Sequence, residues 1–121
     1  MKIAVASTGY TLDADISPIF GRSSAFVIAD VEKDKIKDKL IVENSAKNKS
    51  GSGNTAAYFL IDYGIKILIS GKLGPVAFQM MKNAGIKVYK ATSISVEINL
   101  KQFMEGKLKE VTSLSGGFPV S

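Results

Sequence analysis

The sequence predicts an α/β fold built on a mixed sheet, and two observations carry this prediction. The C-terminal half contains two successive helix–glycine–strand units, Tyr63-Gly64-Ile65-Lys66-Ile67 and Ala84-Gly85-Ile86-Lys87-Val88. Such units are typical of parallel strands joined by right-handed crossovers. The N-terminal half instead contains two apolar runs joined by the polar turn Glu32-Lys33-Asp34-Lys35, which predicts an antiparallel hairpin. The sheet is therefore expected to contain both kinds of strand pair.

The N-terminal elements are a strand, a long loop and the hairpin. Residues 3–6 are apolar and predict a buried strand, whereas residues 8–22 contain glycine, aspartate and proline and predict a loop. A loop of this length in a small domain is often functional. The hairpin strands are expected at residues 25–31 and 36–43. Acidic residues interrupt the alternating lysines of the hairpin, so we interpret these as a solvated sheet edge and not as a nucleic-acid stripe: Lys33, Lys35, Lys37 and Lys39.

Three helices are predicted in the rest of the chain. The first covers residues 55–63, with Asn54 as its N-cap. The second begins at Pro75, a residue favoured at the first helical position, and the third follows the cap residue Ser95. Their predicted apolar faces are Ala56, Phe59, Leu60 and Tyr63; then Ala77, Met80, Met81 and Ala84; then Val96, Leu100, Phe103 and Met104.

Two further buried strands alternate with these helices, at residues 65–70 and 86–90. Together with the first strand and the hairpin they predict a mixed five-stranded sheet of order 3-2-1-4-5, with strand 2 antiparallel and helices on its faces. This is the outline of a ribonuclease-H-like fold. The tail after Lys109 predicts no regular element, and we expect one domain over residues 1–121.

The composition excludes several classes of chemistry. The 121 residues include no cysteine and no histidine, which removes disulfides, thiol nucleophiles, ordinary zinc sites and imidazole acid–base catalysis. The net charge of +5 attracts anions, but Arg22 is the only arginine, and readers of nucleic acids depend on arginine for bidentate contacts. We therefore do not expect a nucleic-acid partner. No apolar run approaches membrane-spanning length and the start does not resemble a signal peptide, so a cytoplasmic protein is expected.

Three turns predict a shared anion site. Residues 51–54 and 71–74 each precede a helix, and residues 7–9 follow the first strand. The first N–H groups of a helix lack intrahelical partners and lie at the positive end of its dipole. We expect the turns to converge on one shallow cleft at the carboxyl end of the strands, where Lys72 adds a positive charge. A second interpretation stays open, in which the glycines only permit tight entries into the helices.

Two other groups of residues have structural explanations that we prefer. Asp13 and Asp15 follow the first strand, but a two-metal nuclease needs further carboxylates on neighbouring strands. We interpret them as turn residues and expect no nuclease or phosphoryl-transfer activity. Met80 and Met81 are soft ligands, but their place on the apolar face of a helix assigns them to the core.

Five sequence blocks occur together in a fixed order: Met1-Lys2-Ile3-Ala4-Val5-Ala6, Phe20-Gly21-Arg22-Ser23, Gly51-Ser52-Gly53, Ile69-Ser70-Gly71-Lys72-Leu73-Gly74-Pro75-Val76-Ala77-Phe78 and Ala84-Gly85-Ile86-Lys87-Val88-Tyr89. Over nearly the whole chain they resemble the dinitrogenase iron–molybdenum cofactor biosynthesis family. This resemblance implies a small ribonuclease-H-like domain without hydrolytic activity. It also implies that the domain binds or carries iron–sulfur precursors of the nitrogenase cofactor and delivers them between cofactor-assembly proteins.

The chain departs from this family at one position of the expected site. Relatives that handle the cofactor frequently have a histidine before Phe-Gly-Arg, whereas this chain has Ile19. An iron–sulfur or iron–molybdenum cofactor would then be held without Cys or His ligation, by charge and by helix N-termini. The family positions imply a cofactor-binding lining of Phe20, as an apolar wall, with Arg22, Gly51, Gly53, Gly71, Lys72 and Gly74. The alternative is a binding module for another anionic small molecule or a partner protein, with no metal cluster bound.

Overall fold

The computed structural model describes residues 1–48, 51–92 and 94–113, and its regular elements are six strands and three α-helices. In chain order these are β1 (Lys2–Ser7), β2 (Ala25–Glu32), β3 (Lys35–Glu43), α1 (Ser52–Asp62), β4 (Ile67–Ser70), α2 (Pro75–Asn83), β5 (Lys87–Lys90), α3 (Val96–Met104) and β6 (Glu110–Val111). A short 3-10 helix occupies Phe20–Arg22, inside the long loop after β1. The strands form one sheet in the order β3-β2-β1-β4-β5-β6.

The strand pairing confirms the predicted mixed sheet and the order of its first five strands. β2 is antiparallel to both β1 and β3, and β4 is parallel to both β1 and β5. The connections explain this mixture. A tight turn in which Lys33 and Asp34 have φ of 51° and 62° reverses the chain between β2 and β3, whereas α2 returns it from β4 to β5. The ribonuclease-H-like label stays a prediction.

The predicted number of five strands is wrong, because the segment after Lys109 is not irregular throughout. Glu110 and Val111 form β6, which pairs antiparallel with Tyr89 and Val88 of β5, and Val111 is buried. A strand of two residues has no period that a sequence pattern can reveal. The rest of the tail, residues 114–121, lies outside the described residues.

Hydrophobic cores lie on both faces of the sheet. Alternation along β1 divides its side chains: Ala4 and Ala6 belong to the core with α1 and α2, whereas Ile3 and Val5 belong to the core with α3. The lysines of β3 lie on an edge strand, as predicted. Because α1 leads back to the start of β4 and α2 leaves its end, both helices begin at the carboxyl end of the parallel strands.

The start of α1 differs from its prediction. The helix begins at Ser52 and not at residue 55, and its N-cap is Gly51 and not Asn54, which lies in the first turn. Gly51 has a φ of 73°, a left-handed conformation that glycine adopts without steric cost, and this local backbone preference outweighed the usual preference for an asparagine cap. The predicted buried face also changes, since Phe59 is exposed and Ala57 is buried.

The other two helices follow their predictions closely. α2 has Pro75 in its first turn and buries Met81, while Met80 is partly buried against the same core, which confirms the packing interpretation of both methionines. Its buried face contains Phe78 in addition, and Ala84 is exposed. The Ser95 hydroxyl oxygen caps α3 by accepting from the N–H of Ile98 at 3.3 Å. No helix in the described part of the chain is long and apolar enough to cross a membrane.

Candidate functional site

A cleft of about 450 Å³ opens where the N-termini of α1 and α2 meet the short 3-10 helix. Its lining comes from residues 19–22, 51–54, 72 and 74–77. The loop after β1, the first turn of α1 and the junction between β4 and α2 therefore meet at this cleft. Six of the seven predicted site residues line it: Phe20, Arg22, Gly51, Gly53, Lys72 and Gly74.

The long loop after β1 contacts elements on both faces of the sheet. Its first half lies against α3, where the N–H groups of Val96 and Glu97 donate to the carbonyl oxygens of Ala14 and Leu12 at 2.9 and 3.0 Å. Only residues 19–22 of the loop line the cleft. The expected contribution of residues 7–9 to the cleft is therefore wrong, because the chain turns first toward α3 and reaches the cleft later.

Gly71 does not line the cleft, but it packs against the loop that does. The N–H of Lys72 donates to the Pro18 carbonyl oxygen at 2.8 Å, and the N–H of Phe20 donates to the Lys72 carbonyl oxygen at 2.8 Å. A Cβ atom at position 71 would lie 2.6 Å from the Pro18 carbonyl oxygen and 2.7 Å from that of Ser17. Glycine is thus required for the loop to lie against the end of β4.

Gly21 has a similar role between the 3-10 helix and α1. A Cβ atom on Gly21 would lie 2.7 Å from both the backbone nitrogen of Gly53 and the Oγ of Ser52. The neighbouring Phe20 is only 1% exposed, and its ring lies 5.3 Å from the ring of Phe26. Phe20 therefore anchors the 3-10 helix in the core. It lines the cleft as a buried ring and not as the exposed apolar wall that was predicted.

The large exposed aliphatic side chains of the cleft, among the described residues, are Ile19 and Val76. They are 48% and 56% exposed, and the hydrophobic cores include neither of them. Val76 is not among the predicted lining residues, and Ile19 differs from the histidine that the family pattern predicts at its position. The position of Val76 in the sequence could have indicated that it lines the cleft, since it lies in the first turn of the helix that follows Gly74.

Among the described residues, no side chain caps either helix start at the cleft. The N-caps are Gly51 for α1 and Gly74 for α2, and in neither does a side chain accept a hydrogen bond from the first turn. α3, on the other face, has the serine cap described above. The first N–H groups of α1 and α2 are donors at the positive ends of two helix dipoles, and Pro75 removes only its own N–H.

The charged side chains of the cleft are both cationic. Arg22 and Lys72 line it, and none of the described lining residues is acidic. Arg22 is partly fixed in place, because its Nη1 donates to the Lys47 carbonyl oxygen at 2.7 Å. A guanidinium carries five N–H donors, so this bond leaves most of them for a ligand. The cleft is therefore suited to an anion.

Two glycines of the lining have no steric requirement in the fold. Gly74 has ordinary extended dihedral angles, φ −68° and ψ 160°, and an added Cβ atom would meet nothing within 4 Å. A Cβ atom on Gly53 would make an ordinary contact of 3.9 Å with the Cβ of Ala77. Gly53 lies in the first turn of α1, and alanine is a better helix former than glycine, so helix stability does not explain a glycine at this position. A ligand that approaches the backbone closely would explain why positions 53 and 74 are both glycine.

The donor set of the cleft is suited to hydrogen bonding and not to metal coordination. The sequence contains neither Cys nor His, and no group of three or more acidic side chains that could hold a metal ion occurs among the described residues. Asp13 and Asp15 do not line the cleft. A metal-containing group would consequently be bound through its own anionic atoms.

Comparison with known proteins finds relatives along nearly the whole chain. The dinitrogenase iron-molybdenum cofactor family matches residues 1–106. An uncharacterized protein of Methanocaldococcus jannaschii is 37% identical over 112 residues, which cover 91% of this chain and 95% of the relative.

Two solved structures are similar in both sequence and fold. The apo form of the orange protein from Desulfovibrio gigas has a TM-score of 0.85 and 33% identity, and the match covers 93% of each chain. A Thermotoga protein that was provisionally assigned as NifB has a TM-score of 0.82 and 32% identity, and the match covers 94% of this chain and 96% of that chain. The mixed sheet and its helices are therefore shared with both.

Proposed function

The chain belongs to the dinitrogenase iron-molybdenum cofactor family, and we propose that it is a non-catalytic carrier of an anionic iron–sulfur cofactor, or a precursor of it, of the iron–molybdenum type. One observation carries the proposal. Arg22, Lys72 and two helix N-termini whose N-cap residues are glycines meet at one cleft, and the described residues that line it include no carboxylate. The cargo is bound there as an intact anion.

The chemistry of such a cargo fits these donors. The sulfur atoms of an iron–sulfur cluster accept hydrogen bonds, and the negative charge of the cluster is attracted by nearby donors and cations. Backbone N–H groups, a guanidinium and an ammonium supply both kinds of interaction without forming a bond to the metal. Because the chain contains no thiolate or imidazole, the cluster keeps its own ligands during binding.

This mode of binding suits transfer better than storage. Release from the cleft breaks hydrogen bonds and charge contacts only, so a protein that offers thiolate or imidazole ligands would take the cluster without a competing ligand from this chain. We propose cofactor-assembly proteins as the partners on this basis. The two aspartates that suggested nuclease chemistry, Asp13 and Asp15, belong to the half of the loop that lies against α3, which supports a role without catalysis.

A second candidate uses the same cleft for another anionic small molecule. Helix N-termini with nearby cations are also typical of phosphate sites, and this observation favours the alternative. A ligand that binds only the folded state raises the melting temperature. Inorganic phosphate or pyrophosphate that stabilises the protein, with no retention of iron, would support this candidate over the cofactor carrier.

The proposal is tested by anaerobic titration with a synthetic thiolate-ligated [4Fe–4S] cluster dianion, followed by desalting, iron analysis and visible absorption. We expect iron to co-elute with the folded protein, with the spectrum of the cluster unchanged because its ligands are not replaced. The variant Arg22→Ala/Lys72→Ala should lose iron. A matched control, Lys66→Ala/Lys101→Ala, removes two exposed cations outside the cleft and should retain it. Absence of iron from folded wild-type protein would refute cluster binding.

A further inference from the structure

The cleft combines two cations with two exposed aliphatic side chains. Ile19 is held next to Lys72 by a parallel β-bridge between their backbones, and Val76 lies in the first turn of α2. Both side chains are about half exposed and outside the hydrophobic cores, so folding does not account for their apolar character. Single exposed apolar residues are common on proteins, but here two line one cationic cleft of about 450 Å³.

We propose that the cleft selects large, weakly hydrated anions over compact, strongly hydrated oxyanions, and that Ile19 and Val76 set this selectivity. The inference rests on the proposed function, because it concerns the same cleft, and it adds the class of anion that the cleft accepts. Arg22, Lys72 and the helix starts recognise the charge of the anion. The two aliphatic residues discriminate between large, weakly hydrated anions and compact oxyanions.

The physical basis is the cost of removing water from the anion. A compact oxyanion such as sulfate holds its hydration shell tightly, and aliphatic carbons cannot replace the hydrogen bonds that it loses. A large anion with its charge spread over many atoms loses less on dehydration and gains contact with the apolar side chains. The cleft volume falls within the range of about 300–1,000 Å³ typical of small-molecule pockets, which exceeds the needs of a single sulfate or phosphate.

The effect of each side chain follows from its exposure. Complete burial of an aliphatic side chain is worth a factor of about 10–100 in an equilibrium constant. Ile19 and Val76 have about half of their surface left to bury, so each should contribute roughly three- to tenfold to the affinity for a large, weakly hydrated anion. The same side chains should contribute nothing to the binding of sulfate.

The test compares two dianions of equal charge, sulfate and closo-dodecaborate, an inert boron-hydride cluster that is large and weakly hydrated. Backbone amide chemical shifts of ¹⁵N-labelled protein at Gly53, Val76 and Ala77 report binding in the cleft. The variant Ile19→Ser/Val76→Thr removes aliphatic surface, and the control Ile98→Ser removes a similarly exposed isoleucine, 42% exposed, from α3. We expect wild-type protein and the control to prefer closo-dodecaborate, and the double variant to reduce that preference by about tenfold or more.

Each remaining outcome overturns a defined part of the account. Equal affinity for both dianions, or a preference for sulfate, would overturn the selectivity and leave the anion-binding cleft intact. A preference for closo-dodecaborate that survives in Ile19→Ser/Val76→Thr would overturn the assignment to these two residues. If neither dianion shifts the cleft amides while the protein stays folded, both the selectivity and the anion site of the proposed function are wrong.

Discussion

The carbonyl oxygen of Pro18 lies 2.6 Å from the position that a Cβ atom would take on Gly71. The same oxygen accepts a hydrogen bond from the N–H of Lys72 at 2.8 Å. This close contact places the loop after β1 against the end of β4, and it carries Ile19 and Arg22 to the cleft. Gly71 thus positions residues of the cleft, because it lets the loop pack closely, although it does not line the cleft itself.

Gly71→Ala should destabilise the protein by about 1–3 kcal/mol, because the added methyl group overlaps backbone atoms of Pro18 and Ser17 that cannot move without shifting the loop. Urea denaturation measures this directly. The matched control is Gly74→Ala, whose added methyl group meets nothing within 4 Å and should change the free energy of unfolding by less than about 0.5 kcal/mol. Equal stability of the two variants would contradict the steric role of Gly71.

Gly53→Ala and Gly74→Ala should weaken cluster binding without loss of stability, because the added methyl groups take up space at the cleft that a bound ligand would occupy. Gly53→Ala should not lower the free energy of unfolding, since alanine is the better helix former and its methyl group makes only an ordinary contact. Iron retention after anaerobic desalting, measured beside urea denaturation, separates the two effects. Variants that are as stable as wild type and retain as much iron would show that the ligand does not approach these positions.

Arg22→Ala and Lys72→Ala should each lower the affinity for the cluster dianion, because both remove a positive charge from the cleft. Both side chains are exposed, so the melting temperature should change little. Added salt should weaken binding to wild-type protein, since the Debye length falls from about 10 Å at 0.1 M to about 3 Å at 1 M. The double variant should be less sensitive to salt. A wild-type affinity that does not depend on salt would argue against binding by charge.

Met81→Ala should destabilise the protein by about 2–5 kcal/mol, because Met81 is fully buried in the core between the sheet and α2. Met80→Ala should cost less, since Met80 is only partly buried against that core. Thermal or urea denaturation compares them. If Met81→Ala left stability unchanged but abolished iron retention, the methionine would be a ligand and not a packing residue.

The sequence predicted the long elements because burial leaves a pattern in them. Strands between two cores appear as continuous apolar runs, and helices with one buried face have periodic apolar positions. The hairpin, the parallel strands β4 and β5, and α3 with its Ser95 cap each have such a pattern. Two features were missed for different reasons. β6 is too short to show a period, and the start of α1 depends on the left-handed backbone of Gly51, which competes with the usual capping preference of Asn54.

Six of the seven predicted lining residues lie at the cleft, but the construction of the cleft was not predictable. Glycine turns before two helices indicate where N–H groups converge, and the family resemblance pointed to the same positions. The division of the loop after β1 between α3 and the cleft depends on backbone contacts such as those of Ala14 and Pro18, which carry no sequence signal of their own. The exposure of Ile19 and Val76 likewise follows from packing and not from any local pattern.

The most direct test of the central claim is metal analysis with visible absorption on protein purified anaerobically from its own host, wild type beside Arg22→Ala/Lys72→Ala. We expect iron, with a broad charge-transfer absorption, in the wild-type protein and its loss from the double variant. Wild-type protein that is folded, colourless and free of metal, or a double variant that retains as much iron as wild type, would contradict a carrier that binds its cofactor by charge in this cleft.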